Sequence, residues 1–381
     1  MSSNNKAFLR KPKNDSGIIL LSVLGVVLIL SVLAIGLGRT VSMDTALTQH
    51  AVGQLRAYYL ARAGIVYGIK LMKEDLEDDK SQLFDSLTQC GIKLKAGDTA
   101  EKIMEKVPQG SGYFSIFYES QEKPSAKPDL FWGFQDEERK INLNAIQGDP
   151  SVGLSNYMVL SQLLQLYDVE PKLADSISAA VADWHDAGDE VTDQTQGAEK
   201  NDYQALSPSY ICKNRTFDQI EELLLVKGMT PEIFSKIKDF ITVFPKENQN
   251  QGLRINLDTA PEPVLRALAR GISKIVPDAT SADADKVVES IVRFRVGHDQ
   301  VSGTIDDQLL AVDGLNLERD YGLNSTGERN IFDTLIGQYR IERSQFFRIR
   351  VMGVDERTET RGTLEAVVNR ENDRIVYWRR I

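Results

Sequence analysis

From Ser16 to Gly38 the chain carries no charged residue, and the stretch Ile18 to Leu37 is dense in isoleucine, leucine and valine. At 1.5 Å per residue such a helix crosses a hydrocarbon core about 30 Å thick, so this segment predicts a transmembrane span. Lys6, Arg10, Lys11 and Lys13 precede it against the single Asp15, whereas Arg39 on the far side is balanced by Asp44. The basic end is therefore expected in the cytoplasm and the rest of the 381-residue chain outside. A cleaved secretory signal would have a shorter apolar region and a non-helical start after it. Here the helical pattern continues. Val41, Ala46, Leu47, Val52, Leu55, Tyr59, Leu60, Ala63, Val66, Tyr67 and Leu71 recur at three- and four-residue spacings, predicting an amphipathic continuation whose apolar face packs on the head of the protein.

Composition narrows the function classes. A content of 42% hydrophobic and 26% charged residues is that of a folded protein, and the length suggests two or three structural units. A net charge of -10 offers no general attraction to nucleic acid. His50, His185 and His298 and the cysteines Cys90 and Cys212 are too scattered for a zinc finger or ribbon. There is no nucleophile elbow, no phosphate-binding Walker loop and no H-E-x-x-H helix, so the chain reads as a non-enzyme. His185 and Trp184 read as packing residues. A Cys90–Cys212 disulfide suits an outward-facing domain, but the sequence leaves the pairing open.

The middle of the chain contains an echo. Ile141-Asn142-Leu143-Asn144-Ala145 returns as Ile255-Asn256-Leu257-Asp258-Thr259-Ala260, Ala174-Asp175 returns as Ala284-Asp285, and Phe217-Asp218 leading to Val226-Lys227-Gly228-Met229 matches Ile305-Asp306 leading to Val312-Asp313-Gly314-Leu315. Two similar helical units, about 141–245 and 255–320, are expected within a compact helical domain spanning 141–335. On either side the period changes. Gly112 to Tyr118, Ser344 to Val354, Arg361 to Arg370 and Arg374 to Arg380 read as strands, with Phe347, Ile349 and Val351 on a buried face. The fold class expected is α+β: a long N-terminal helix packed on an antiparallel sheet, with a large inserted all-helical domain. Its parts are 1–17, an apolar helix half at 18–38, helix and first strands at 39–140, the insertion, and the last strands at 336–381.

A basic leader ending in Gly17, followed by Ile18-Ile19-Leu20-Leu21-Ser22-Val23-Leu24 and an unbroken helix, resembles the class III signal of type IV pilins and pseudopilins. With the INLN and INLDTAPEPVLRAL segments and the EELLLVKGMTPEIF stretch, the chain resembles general secretion pathway protein K, the K-type minor pseudopilin of type II secretion. The resemblance implies cleavage by a prepilin peptidase between Gly17 and Ile18. Most pilins carry glutamate at the fifth mature position; this chain has Ser22 there, a departure from the pattern that resembles K-type members. It further implies a single-pass inner-membrane protein with a periplasmic domain. Its partners would be the I- and J-type minor pseudopilins and the inner-membrane secretion platform, and it would start or cap the pseudopilus tip for export of folded proteins.

The first helical copy holds roughly two dozen residues that the second lacks, and they are acidic. Asp183, Asp186, Asp189, Glu190, Asp193, Glu199 and Asp202 face only Lys200. Carboxylates so crowded repel one another unless a cation sits among them, and hard oxygen ligands on a flexible loop suit calcium better than zinc. A solvated acidic loop is the plainer alternative; the resemblance to family K favours one or two Ca²⁺ ions, with Asp186, Asp189, Glu190, Glu199 and Asp202 as first candidates. The segment Leu225 to Glu232 also resembles a helix-hairpin-helix, which would make the chain a membrane-anchored DNA-binding protein. The missing second glycine, Asp313 in place of Lys227 and the acidic neighbourhood weigh against it, and no nucleic acid is expected.

Overall fold

A computed structural model describes residues 15–77, 103–121, 127, 129–146, 156–191, 197–246, 252–298, 308–310, 316–341 and 343–381. Residues 1–14, Cys90, Asp193, and the 305–306 and 312–315 segments of the second copy lie outside them.

Helix α1 (Asp15–Glu77) runs for 63 residues without interruption, and its apolar part is long enough to cross a membrane. Within it the Ser22 and Ser31 hydroxyls donate to the carbonyls of Ile18 and Val27 at 2.9 and 2.7 Å. Each hydroxyl is thereby satisfied within its own helix, as a hydrocarbon environment requires.

Strands β1 (Val107–Gln109), β2 (Gly112–Ser120), β3 (Asp129–Trp132) and β4 (Gln135–Asp136) precede the helical block. The two-residue strands β5 (Ile141–Asn142) and β6 (Ile241–Thr242) pair in parallel inside it. Strands β7 (Phe346–Asp355), β8 (Thr360–Asn369) and β9 (Arg374–Arg380) follow. The main sheet is antiparallel in the order β1-β2-β7-β8-β9, with β3 also on β2 and β4 also on β7. Early and late strands thus share one sheet, and the helices connect them. The alternation expected in β7 holds: Phe347, Ile349 and Val351 are buried, whereas Phe346, Arg348 and Arg350 are half-buried.

The face that α1 turns to the sheet is the expected one only in part. Leu60 is buried and Tyr67 and Leu71 pack against the sheet core, as expected, but Val52, Leu55, Tyr59 and Val66 are exposed; Ala57, Ala61, Ile65 and Met72, interspersed with Gly53, Gly64 and Gly68, do the rest of the packing. The reason is the distance of approach. A Cβ on Gly353 would stand 2.2 Å from the Ala57 carbonyl oxygen and 2.5 Å from the Ala61 nitrogen, and one on Gly64 would stand 2.5 Å from Val351 Cγ1. Backbones this close admit only small side chains at the points of contact, so Gly53, Ala57, Ala61 and Gly64 hold them and Leu60, Ile65 and Met72 fill the space around them.

The insertion contains α2 (Tyr157–Leu166), α3 (Pro171–His185), α4 (Lys200–Gln204), α5 (Pro231–Ile237), α6 (Glu262–Ser273), α7 (Ser281–Arg295) and α8 (Thr326–Thr334). Proline at the first turn of α3 and α5 and threonine or serine caps before α5, α7 and α8 set their starts. The sequence echo has a structural counterpart. Asn142 Oδ1 accepts from Asn144 N and Asn256 Oδ1 from Asp258 N, at 3.0 and 3.1 Å, so each copy opens on the same turn. Asn144 Oδ1 then accepts from Phe217 N, and Asp258 Oδ1 from Leu310 N, both at 2.7 Å. In each copy this second bond fastens a distant segment onto the opening turn. Trp184 lies in the core, as expected, against Tyr203 in an edge-to-face contact. His185 is also buried, with a ring nitrogen bonded to the Ile146 carbonyl.

Candidate functional site

Two regions stand out among the described residues. The first is the outer face of α1. With 3.6 residues per turn, Val41, Val52, Leu55, Tyr59 and Val66 fall within about 60° of one another, opposite the packed glycine and alanine face. All but Val52, at 39%, are more than half exposed. They prolong the apolar span into the water-exposed half of the helix as a greasy stripe interrupted by Thr48 between Val41 and Val52. Single exposed apolar residues are ordinary, but an aligned row of them is the mark of a binding surface.

The second region is the acidic loop. The last turn of α3 carries Asp183, Asp186 caps that helix, and Glu199 stands at the start of α4. These three bring one carboxylate oxygen each to within 4.8 Å of one another. Asp183 is fully buried, and its Oδ2 accepts from Ala198 N at 2.7 Å. Glu199 is buried too, and among the described residues neither of its carboxylate oxygens has a hydrogen-bond partner. Burial first, then the Asp183 and Asp186 charges, push its pKa up to about 7. An orphaned buried carboxylate beside two others fits a hard cation, for which oxygen donors are the preferred ligands.

The remaining candidates stand differently. Asp189 Oδ1 accepts from Asn214 Nδ2 at 3.3 Å, and Asp189 and Glu190 are exposed. Asp202 is engaged elsewhere, with Lys227 Nζ on its Oδ1 at 2.6 Å and Glu199 N on its Oδ2 at 3.2 Å. Asp183, the buried member of the trio, is not among the five first candidates. The clue available for it was its D-x-x-D spacing to Asp186, which one helical turn brings together. Lys227, the basic residue of the hairpin that resembles a helix-hairpin-helix, spends its charge on Asp202. Burial above all pushes the Cys212 thiol up to about 12.

Comparison with known proteins agrees with the resemblance drawn from the sequence. Residues 139–246 match the family model described as type II secretion system protein K, first domain. Type II secretion system protein K of Pseudomonas aeruginosa is 28% identical over 134 residues, covering 35% of this chain and 38% of that protein. The Klebsiella pneumoniae protein of the same name is 28% identical over 135 residues, 34% of this chain and 40% of its own length. The matched segments thus span well under half of these relatives. The fold extends further. The crystal structure of the GspK-GspI-GspJ complex from the enterotoxigenic Escherichia coli type 2 secretion system contains a chain that superposes with a TM-score of 0.59. That match covers 90% of this chain and 99% of the other at 16% identity.

Proposed function

Starting from the protein K domain matched at residues 139–246, we propose that this chain is a minor pseudopilin of a type II secretion system. It acts by assembly, without catalysis, with its leader in the cytoplasm, α1 in the inner membrane and its head in the periplasm. A prepilin peptidase frees Ile18 as the new amino terminus. The exposed stripe Val41, Val52, Leu55, Tyr59 and Val66 carries this reading, because it is aligned with the apolar span and lies opposite the face already used by the sheet. Sister stems of I- and J-type minor pseudopilins bury it. The helical insertion, at the end of α1 far from the apolar span, would obstruct a subunit stacked above it, which supports a position at the filament tip. Assembly there starts pseudopilus growth on the inner-membrane platform and so serves export of folded proteins.

Cysteines introduced at Leu55 and Tyr59 test this. Crosslinking to an I- or J-type partner is expected from both, and none from a cysteine at exposed Arg361 on the sheet. A stem that never crosslinks to another pseudopilin refutes the assembly role. Mass spectrometry of the membrane-extracted amino terminus checks the processing step, for which the expected mass starts at Ile18.

We further propose that Asp183, Asp186 and Glu199 hold Ca²⁺, with Asp189 and Glu190 as additional donors from the same loop. The ion neutralises three converging carboxylates and ties α3 to α4. Calorimetry with calcium and with chelator decides: a binder gains about 2.7 kcal/mol at a ligand concentration of a hundred times Kd, and an unchanged melting temperature removes the proposal.

A further inference from the structure

At the junction of the helical block with the sheet lies a cleft of about 700 Å³, within the size range of ligand-binding sites. Its charged lining is one-sided. Lys140, Lys246, Arg254, Arg343 and Arg374 face Glu138 as the single lining carboxylate among the described residues, in a chain whose net charge is -10. Glu138 is itself occupied, since its Oε2 accepts the backbone N–H groups of Gln345 and Phe346. Lys140 pairs with Glu137 and Lys246 with Asp218, each at 3.0 Å. Arg254 and Arg374 are exposed and form no ion pair among the described residues. At physiological ionic strength charges are felt over about 8 Å, so a ligand in the cleft meets this local excess and not the acidic total.

The remaining lining defines the ligand further. Phe244, Phe346 and Ile375 present apolar surface between the charges. Strand β9 ends the sheet order, so its outer edge has no ladder partner among the described residues, and its first residues Arg374, Ile375 and Val376 line the cleft. An unpaired edge beside both basic and apolar side chains suits an added strand, bound by its backbone through the free edge and by its side chains to the cleft. A headgroup of the inner membrane is out of reach. Ile349 of β7 meets α1 at Gly68, which the helical rise puts about 45 Å beyond the end of the apolar span at Leu37, and the cleft lies at the start of β7 on the far side of that level.

We propose that this cleft receives an extended acidic peptide segment of a partner protein, laid along the edge of β9 with its carboxylates on Arg254 and Arg374. Full-length protein in detergent micelles would be titrated with a fluorescein-labelled peptide of alternating glutamate and leucine, and with its glutamine counterpart. The glutamate peptide is expected to bind, more weakly as salt rises, and the glutamine peptide is not. The double substitution Arg254→Glu/Arg374→Glu, at two exposed positions, is expected to weaken binding by about tenfold or more while leaving the melting temperature unchanged. No binding of the glutamate peptide, or equal binding by the variant, would overturn the proposal. So would tripolyphosphate binding at the same residues with the peptide excluded, which would assign the cleft to phosphate.

Discussion

Replacing Arg348 by methionine strands a carboxylate where water cannot reach it. Glu137 is fully buried, with Arg348 Nε 2.5 Å and Lys140 Nζ 3.0 Å from its Oε1, and Thr242 donating to its other oxygen. The same guanidinium reaches Glu365 through Nη1 at 2.5 Å, but Glu365 keeps Arg350 at 2.9 Å, so most of the loss falls on Glu137. Breaking a buried ion pair from one side costs about 3–5 kcal/mol. With Lys140 still in place the lower end applies, about 3 kcal/mol, or roughly 6–12 °C in melting temperature at a few degrees per kcal/mol. The sign of the pH dependence should invert as well. Burial pushes the Glu137 carboxyl up, but Arg348 and then Lys140 reverse this and hold it well below its usual value. In the parent its contribution is therefore complete above the ordinary glutamate pKa, about 4.3, and is lost as pH falls through the lower folded value. In Arg348→Met burial gains the upper hand, the folded state prefers the protonated acid, and stability rises as pH falls from about 7 to about 5. Thermal melts of the full chain in detergent at both pH values read this directly. Removing both remaining charges as well, with Glu137→Gln and Lys140→Met added, should return most of the loss, since Lys140 would otherwise be left without its carboxylate. A drop below about 1 kcal/mol in Arg348→Met, or no recovery in the triple variant, would refute the assignment of that loss to a stranded charge.

Gly353→Ala should destabilise by about 1–3 kcal/mol in chemical denaturation, because β7 must retreat from the backbone of α1 between Ala57 and Ala61; an unchanged midpoint would contradict the close approach. Asp285→Asn, which removes the charge and one of the two oxygens that accept from Arg270 at 2.8 Å and Arg266 at 3.0 Å between α6 and α7, should cost about 1 kcal/mol at neutral pH. Burial raises Asp285, but the two arginines pull it below its ordinary value, so its contribution is lost as pH falls below about 4. The variant should accordingly show a shallower acid-side decline in melting temperature. Among the loop carboxylates, Asp183→Asn and Glu199→Gln should abolish any calcium-dependent rise in melting temperature, whereas Asp202→Asn should retain it, since Asp202 is paired with Lys227.

Much of this molecule could be read along the chain. The apolar run of α1, the strands around Gly112, Phe347, Leu364 and Tyr377, and the paired INLN and INLD turns all have local signatures, because each reflects how consecutive residues divide between water and interior. Hydrophobicity alone misassigned part of the packed face of α1. It ranks Val52, Leu55 and Tyr59 above Gly53, Ala57 and Gly64, yet Gly353 of β7 crowds the backbone at Ala57, and the side chains of Thr358 and Val351 fill the space beside Gly53 and Gly64.

The sequence by itself determined that there would be a membrane-length stem, an antiparallel sheet divided between the two ends of the chain, and a duplicated helical block between them, since periodicity and composition act over a few turns or a single strand. Only the tertiary structure decided which side of the stem remains greasy and open, and that Glu137 meets Arg348 and Glu365. It also decided that Asp183, Asp186 and Glu199 form one group, and that basic residues from several separate segments share one cleft. These are coincidences between distant parts of the chain. They depend on how closely the backbones approach when the fold closes, and no local pattern records that distance.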